Sequence, residues 1–195
     1  MIESKSWMSG SGEFKARPVH MRFLRKSHKL MKAILPLGSD TMKPVAVMIL
    51  IVLEAALAFL GFFSGGSFLL DPSGESHDMD TTILEGTPVG DFTLVGLFFV
   101  TFFGILPVLA IYGLWTLARW RWTDAINRWT GQNWAWTATA ATGVTLIVWI
   151  AVEVVLIGSP DGFPRFLQVM MTLLGIVILA LATLPRVRAY AKFAD

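Results

Sequence analysis

Four long apolar stretches, separated by polar and charged segments, dominate the pattern of positions along the chain. They cover residues 44–63 (PVAVMILIVLEAALAFLGFF), 92–117 (FTLVGLFFVTFFGILPVLAIYGLWTL), 134–157 (WAWTATAATGVTLIVWIAVEVVLI) and 166–184 (FLQVMMTLLGIVILALATL). A helix needs about 20 residues to cross a hydrocarbon core, and each stretch is close to that length or longer. Barrel strands would alternate apolar and polar positions over about ten residues, whereas these runs are unbroken. A helix also closes its backbone hydrogen bonds within the segment, as lipid requires. The pattern therefore predicts an all-α integral membrane protein with four transmembrane helices.

Composition agrees. The chain has 195 residues, 54% hydrophobic and 15% charged, with a mean hydropathy of +0.62; soluble domains carry about 25% charged residues. Cysteine is absent, which removes disulfides, thiolate metal sites, iron–sulfur clusters and a cysteine nucleophile. Charge then orients the spans. Residues 1–43 hold nine Lys/Arg against three acids, and the link 118–133 holds Arg119, Arg121 and Arg128 against Asp124. The last segment holds Arg186, Arg188 and Lys192 against Asp195, whereas the first loop carries six acids and no base. Because Lys and Arg flank the cytoplasmic ends of spans, both termini and the middle link are expected inside. The 65–91 acidic loop and the short loop before span four are then expected outside. The expected location is the plasma (cytoplasmic) membrane, or cell inner membrane, of a prokaryote.

Residues 1–18 are Ser/Gly-rich and read as a flexible arm. Over residues 19–36, Met21, Leu24, His28, Met31 and Leu35 form one helical stripe, while Arg22, Arg25, Lys26, Lys29 and Lys32 fill the remainder. This is the pattern of a basic amphipathic helix at an anionic membrane surface, suited to lipid or partner docking or to holding this end inside. Nucleic acid is not expected as a partner, since the leaflet already supplies the anionic surface. Residues 43–185 form the transmembrane domain and 186–195 a cytoplasmic tail.

Two acids lie within the spans. Glu54 sits about ten positions into span one, roughly 15 Å deep at about 1.5 Å per residue. A bare carboxylate there costs several kcal/mol, so Glu54 must be protonated, paired or facing a polar cavity. It is a candidate proton or cation carrier, or a polar contact within the bundle or to a partner chain. Glu153 lies near the outer end of span three; a Glu54–Glu153 pair is disfavoured because their depths differ by roughly 9 Å.

In span two, Pro107 predicts a kink near 103–107. The small residues at 135–143, with Gly175, Ala180 and Ala182, predict a tight hairpin of spans three and four. Trp115, Trp120, Trp122, Trp129, Trp134 and Trp136 cluster at one boundary and read as an interfacial belt. Between them, 123–131 reads as a short surface helix with Thr123 as cap, Gly131 as stop and an apolar edge of Trp122, Ala125, Ile126 and Trp129. In the acidic loop, Asp71, Glu75, Asp78 and Asp80 could dock a basic soluble partner; the ligand spacing of a calcium loop is missing.

No histidine falls in a span, and no phosphate-binding glycine loop, HExxH or GxSxG occurs. The expectation is accordingly no enzyme, no cofactor, no metal and no catalytic residue. The pieces KPVAVMILIVLE (43–54), YGLW (112–115), WAW (134–136) and LPRVRAYAKF (184–193) resemble a group of small, uncharacterised prokaryotic membrane proteins, over roughly residues 43–193. The resemblance implies four helices and carries no activity or functional residue. The chain departs from it in its Trp-rich insert and long basic arm. Small multidrug transporters also place a glutamate in the first of four helices, but their other signature residues are missing here and the outer loop is too long.

Two functional expectations follow. The first is a non-catalytic accessory or assembly subunit of a larger membrane complex, for which a bioenergetic complex is one candidate host, with membrane lipids and other membrane subunits as partners. The second is a small homo-oligomeric proton- or cation-coupled transporter or channel using Glu54. A third use, a lipid-surface scaffold, would rest on residues 20–35.

Overall fold

A helix that is apolar all round can choose its buried face only by fine differences in side-chain size, and in this chain glycine makes that choice. The computed structural model describes residues 43–75, 79, 81–159 and 161–192. The arm, the basic amphipathic segment with Arg22, Arg25, Lys26, Lys29 and Lys32, and loop residues Asp78 and Asp80 lie outside the described residues. The chain divides between Met42 and Lys43, and the second unit holds everything that follows.

That unit contains α1 (Val45–Leu70), α2 (Thr93–Thr116), α3 (Asp124–Thr130), α4 (Trp134–Ile157), α5 (Phe163–Thr183) and α6 (Pro185–Tyr190). Four of them, α1, α2, α4 and α5, are long and apolar enough to cross a membrane. α1 packs on α2, α2 on α4, α4 on α5 and α5 back on α1, which closes a four-helix ring. The core-facing residues of α1 are Val47, Leu50, Glu54, Leu57, Ala58, Gly61, Gly65 and Phe68, spaced three and four apart as a single helical face requires. Leu114, Ala135, Leu146 and Ile178 bring the other helices into the same core.

The crossings are made at small residues. A Cβ placed on Gly61 would strike the carbonyl group of Phe103, and one on Gly65 would lie 2.8 Å from the Gly96 carbonyl oxygen and the Val100 nitrogen. Across the other pair, a Cβ on Gly143 would lie 3.0 Å from the Gly175 carbonyl oxygen, and one on Gly175 would lie 3.0 Å from that of Gly143. The α4–α5 hairpin is therefore tight in the way its small residues predict.

α2 contains a π-helical stretch over Phe99–Ile105 in which the Leu106 N–H reaches the Thr101 carbonyl. It ends just before Pro107. Proline offers no N–H to the Phe103 carbonyl and crowds it, and the backbone adjusts by widening a turn. That carbonyl lies against Gly61. The irregularity expected at 103–107 is thus present slightly earlier, as a π turn.

Two boundaries differ from the sequence expectation. Span one was expected to end at 63, with the loop starting at 65, yet α1 continues to Leu70. Its Gly65 is a packing residue rather than a break. Span four was expected from 166, but α5 begins at Phe163 with Pro164 in its first turn, where proline's missing N–H costs nothing. Beyond α1, the loop folds back over the helix ends: Phe68, Leu84 and Phe92 form a second small core, with Phe68 and Phe92 stacked at 5.0 Å.

Gly61→Ala should lower the melting temperature in detergent, since overpacking against backbone costs about 1–3 kcal/mol. Gly66, whose Cβ would meet nothing within 4 Å, provides the control: Gly66→Ala should leave stability unchanged or raise it by up to about 1 kcal/mol through helix propensity. Equal melting temperatures for the two variants would contradict the crossing.

Candidate functional site

Glu54 occupies a core position of α1 and has no solvent exposure. Neither carboxyl oxygen makes a hydrogen bond of regular geometry. The polar group beside it is the Thr142 hydroxyl of α4, on the far side of the ring. That hydroxyl donates to the Ala138 carbonyl at 3.1 Å, so its proton is already used and its oxygen remains as an acceptor. Thr139, one turn earlier, is spent the same way on the Ala135 carbonyl at 3.0 Å. The centre of the bundle thus holds one carboxyl beside a hydroxyl oxygen that can still accept.

Glu153 is elsewhere and fully engaged. Its Oε1 accepts from Gln168 Nε2 at 3.0 Å. The same amide nitrogen reaches the Gly158 carbonyl at 3.2 Å, and Gln168 Oε1 accepts from the Ser159 hydroxyl at 2.8 Å. Arg165 donates to the Ser159 carbonyl at 2.9 Å and pairs with Asp161 at 2.6 Å. This network closes the acidic end of the α4–α5 hairpin and keeps Glu153 apart from Glu54, as their depths in the sequence predict. At the same end, Asp71 accepts from the Ser73 N–H at 3.2 Å and Glu75 is exposed. Asp91 Oδ1 accepts from the Thr93 N–H at 2.9 Å, a bond to the first turn of α2. The Thr93 backbone N–H, and then its side chain, hold the Asp91 carboxyl below its ordinary value.

At the opposite, basic end, the six tryptophans divide by role. The last carbonyls of a helix have no intrahelical donor, and aromatic side chains supply several. Trp134 Nε1 donates to the Ala118 carbonyl at 2.8 Å, Trp136 Nε1 to Ala182 at 2.7 Å and the Tyr190 hydroxyl to Leu114 at 2.9 Å. Asn133 caps α4 by accepting from the Ala135 N–H, and its own N–H reaches the Ala191 carbonyl at 2.7 Å. An isolated antiparallel bridge joins Gln132 to Lys192. Trp120 stacks on Trp134 at 4.4 Å and on Trp122 at 5.4 Å. Lys43 Nζ stands 3.5 Å above the Trp115 ring.

Trp122 and Trp129 are left 71% and 87% exposed, with Ile126 between them. The apolar edge expected for the 123–131 helix is therefore presented outward, and Gly131 ends α3 in the left-handed conformation at φ 66°. Thr123 occupies the cap position without capping; its hydroxyl donates instead to the Trp120 carbonyl at 2.8 Å. Trp134 is buried and serves as a helix-end donor.

Gln168, Ser159, Thr142, Asn133 and Tyr190 had not been singled out in the sequence. Gln168 alone carried a readable signal, as an amide within an apolar span that faces Glu153 across a short hairpin. Nothing matches the chain among protein-family models, curated proteins or solved structures.

Two outcomes test the ends of the bundle. Tyr190→Phe, which strips the donor from the Leu114 carbonyl, should cost about 1 kcal/mol, read as a lower melting temperature with helicity unchanged. Asp91, with its value lowered in the fold, stabilises fully above the ordinary aspartate range and ceases to do so as pH falls through the lowered value. Thermal melts of Asp91→Ala across the acid range should lose that component, and a profile identical to the parent would refute it.

Proposed function

We propose that the chain is a non-catalytic accessory subunit of a larger membrane assembly. In this reading the basic end is cytoplasmic, in the plasma membrane of a prokaryote, with the acidic loop outside. The orientation rests on the Lys/Arg distribution. The observation that carries the functional reading is the basic end itself. Trp134, Trp136, Asn133 and Tyr190 tie the segments on either side of α3 to one another, and α3 packs on α4 with Asn127 buried against Thr123 as a shelf. The shelf presents Trp122, Ile126 and Trp129 beside Arg121 and Arg128. Exposed aromatic residues and arginine are the side chains enriched in the cores of protein interfaces. The 42-residue segment before Lys43, basic in its second half, adds a second docking element of the same sign.

A second reading, a small homo-oligomeric transporter, is favoured by one observation, the buried Glu54 carboxyl, which makes no hydrogen bond of regular geometry. Mild-detergent extraction from native membranes followed by native mass spectrometry separates the two. Foreign subunits in fixed stoichiometry, lost on Trp122→Ala/Trp129→Ala, are the expected result. A lone chain or homo-oligomer would overturn the accessory reading, and Glu54→Gln in reconstituted vesicles should then abolish flux while leaving the oligomer intact.

A further inference from the structure

The Glu54 carboxyl has no solvent exposure, and neither of its oxygens makes a hydrogen bond of regular geometry. Thr142 beside it has spent its proton on Ala138. Of the forms Glu54 can take, a carboxylate brings two more acceptors to a place that already offers an accepting oxygen. A carboxylic acid brings one O–H, which that oxygen is able to accept. A metal cation would need several oxygen ligands at once, and the side-chain oxygens brought together here are those of Glu54 and Thr142.

The charged and titratable side chains on the neighbouring elements are engaged or turned away. Tyr112 of α2 is exposed, and Glu153 of α4 is bonded to Gln168. Arg165 of α5 pairs with Asp161. Tyr190 of α6 is bonded to Leu114, and Arg188 stands 5.8 Å from the Trp136 ring. No cation therefore compensates a negative charge at Glu54 from these positions, and an uncompensated charge in a dry interior is too costly to keep.

We infer that Glu54 and Thr142 form a proton-binding site at the centre of the bundle, in which Glu54 is a neutral acid donating its O–H to Thr142 Oγ1, and that the site takes a proton in preference to a metal cation. The inference names the ion for the transporter reading. It holds equally for an accessory subunit, where the same proton would be a structural one, so the mass-spectrometric result leaves it standing.

The test is infrared spectroscopy of the full chain in detergent at pH 7, where exposed carboxyl groups are ionised. The expected spectrum has a neutral-carboxyl C=O band that shifts when glutamate is isotopically labelled at its side-chain carboxyl. The band should disappear in Glu54→Gln, move in Thr142→Val and ignore a hundredfold increase in sodium chloride. A wild-type spectrum with no such band would overturn the inference, and this outcome does not depend on whether any variant folds. A band removed by sodium would make the site a cation site. A band unmoved by Thr142→Val would remove Thr142 as the acceptor.

Discussion

Every backbone polar group within the hydrocarbon core must find its partner inside the protein, because lipid supplies none. The long helices satisfy their interiors automatically, and the burden falls on their ends and on the irregular turn in α2. The π turn at Phe99–Ile105 and the Phe103 carbonyl against Gly61 are one response. The indole, phenol and amide donors of Trp134, Trp136, Tyr190 and Asn133 are the other. What looks like an aromatic belt is in part a set of hydrogen-bond donors placed where helices run out.

Glu54 stands out against that economy. Several helix ends far from the centre are matched donor to acceptor, whereas the one carboxyl on the core face of α1 meets a hydroxyl whose proton is bonded to the Ala138 carbonyl. Burial on a helix face shared with Val47, Leu50 and Leu57 fixes its location. Glu153, four residues from the end of α4, accepts from Gln168, whose amide nitrogen also reaches the Gly158 carbonyl, and so behaves as an ordinary polar side chain near a helix terminus.

The four spans were legible because runs of apolar residues at helix length have few alternatives, and α4 follows its expected bounds residue for residue. The end of α1 was not, because Gly65 and Gly66 read as a break when only their local preference is weighed; Gly65 is retained by the backbone it touches, information that lies in α2. The depth of Glu54 followed from counting along the helix. Its neighbour Thr142 did not, since α1 and α4 face each other across the ring and their register depends on the glycine crossings. The roles of Trp134 and Tyr190 were hidden for a similar reason: their acceptors lie 16 and 76 residues away in sequence.

The contacts of Tyr190, Ala191 and Lys192 with Leu114, Asn133 and Gln132 also set an order of events. During synthesis all four spans and α3 are made before these residues exist, and until then the Leu114 carbonyl and the Asn133 N–H wait without their final partners. The basic end is therefore completed only after the fourth span has been made. A chain truncated after Leu184 would still have all four of its spans and would lack the latch that ties residues 190–192 to Leu114, Asn133 and Gln132.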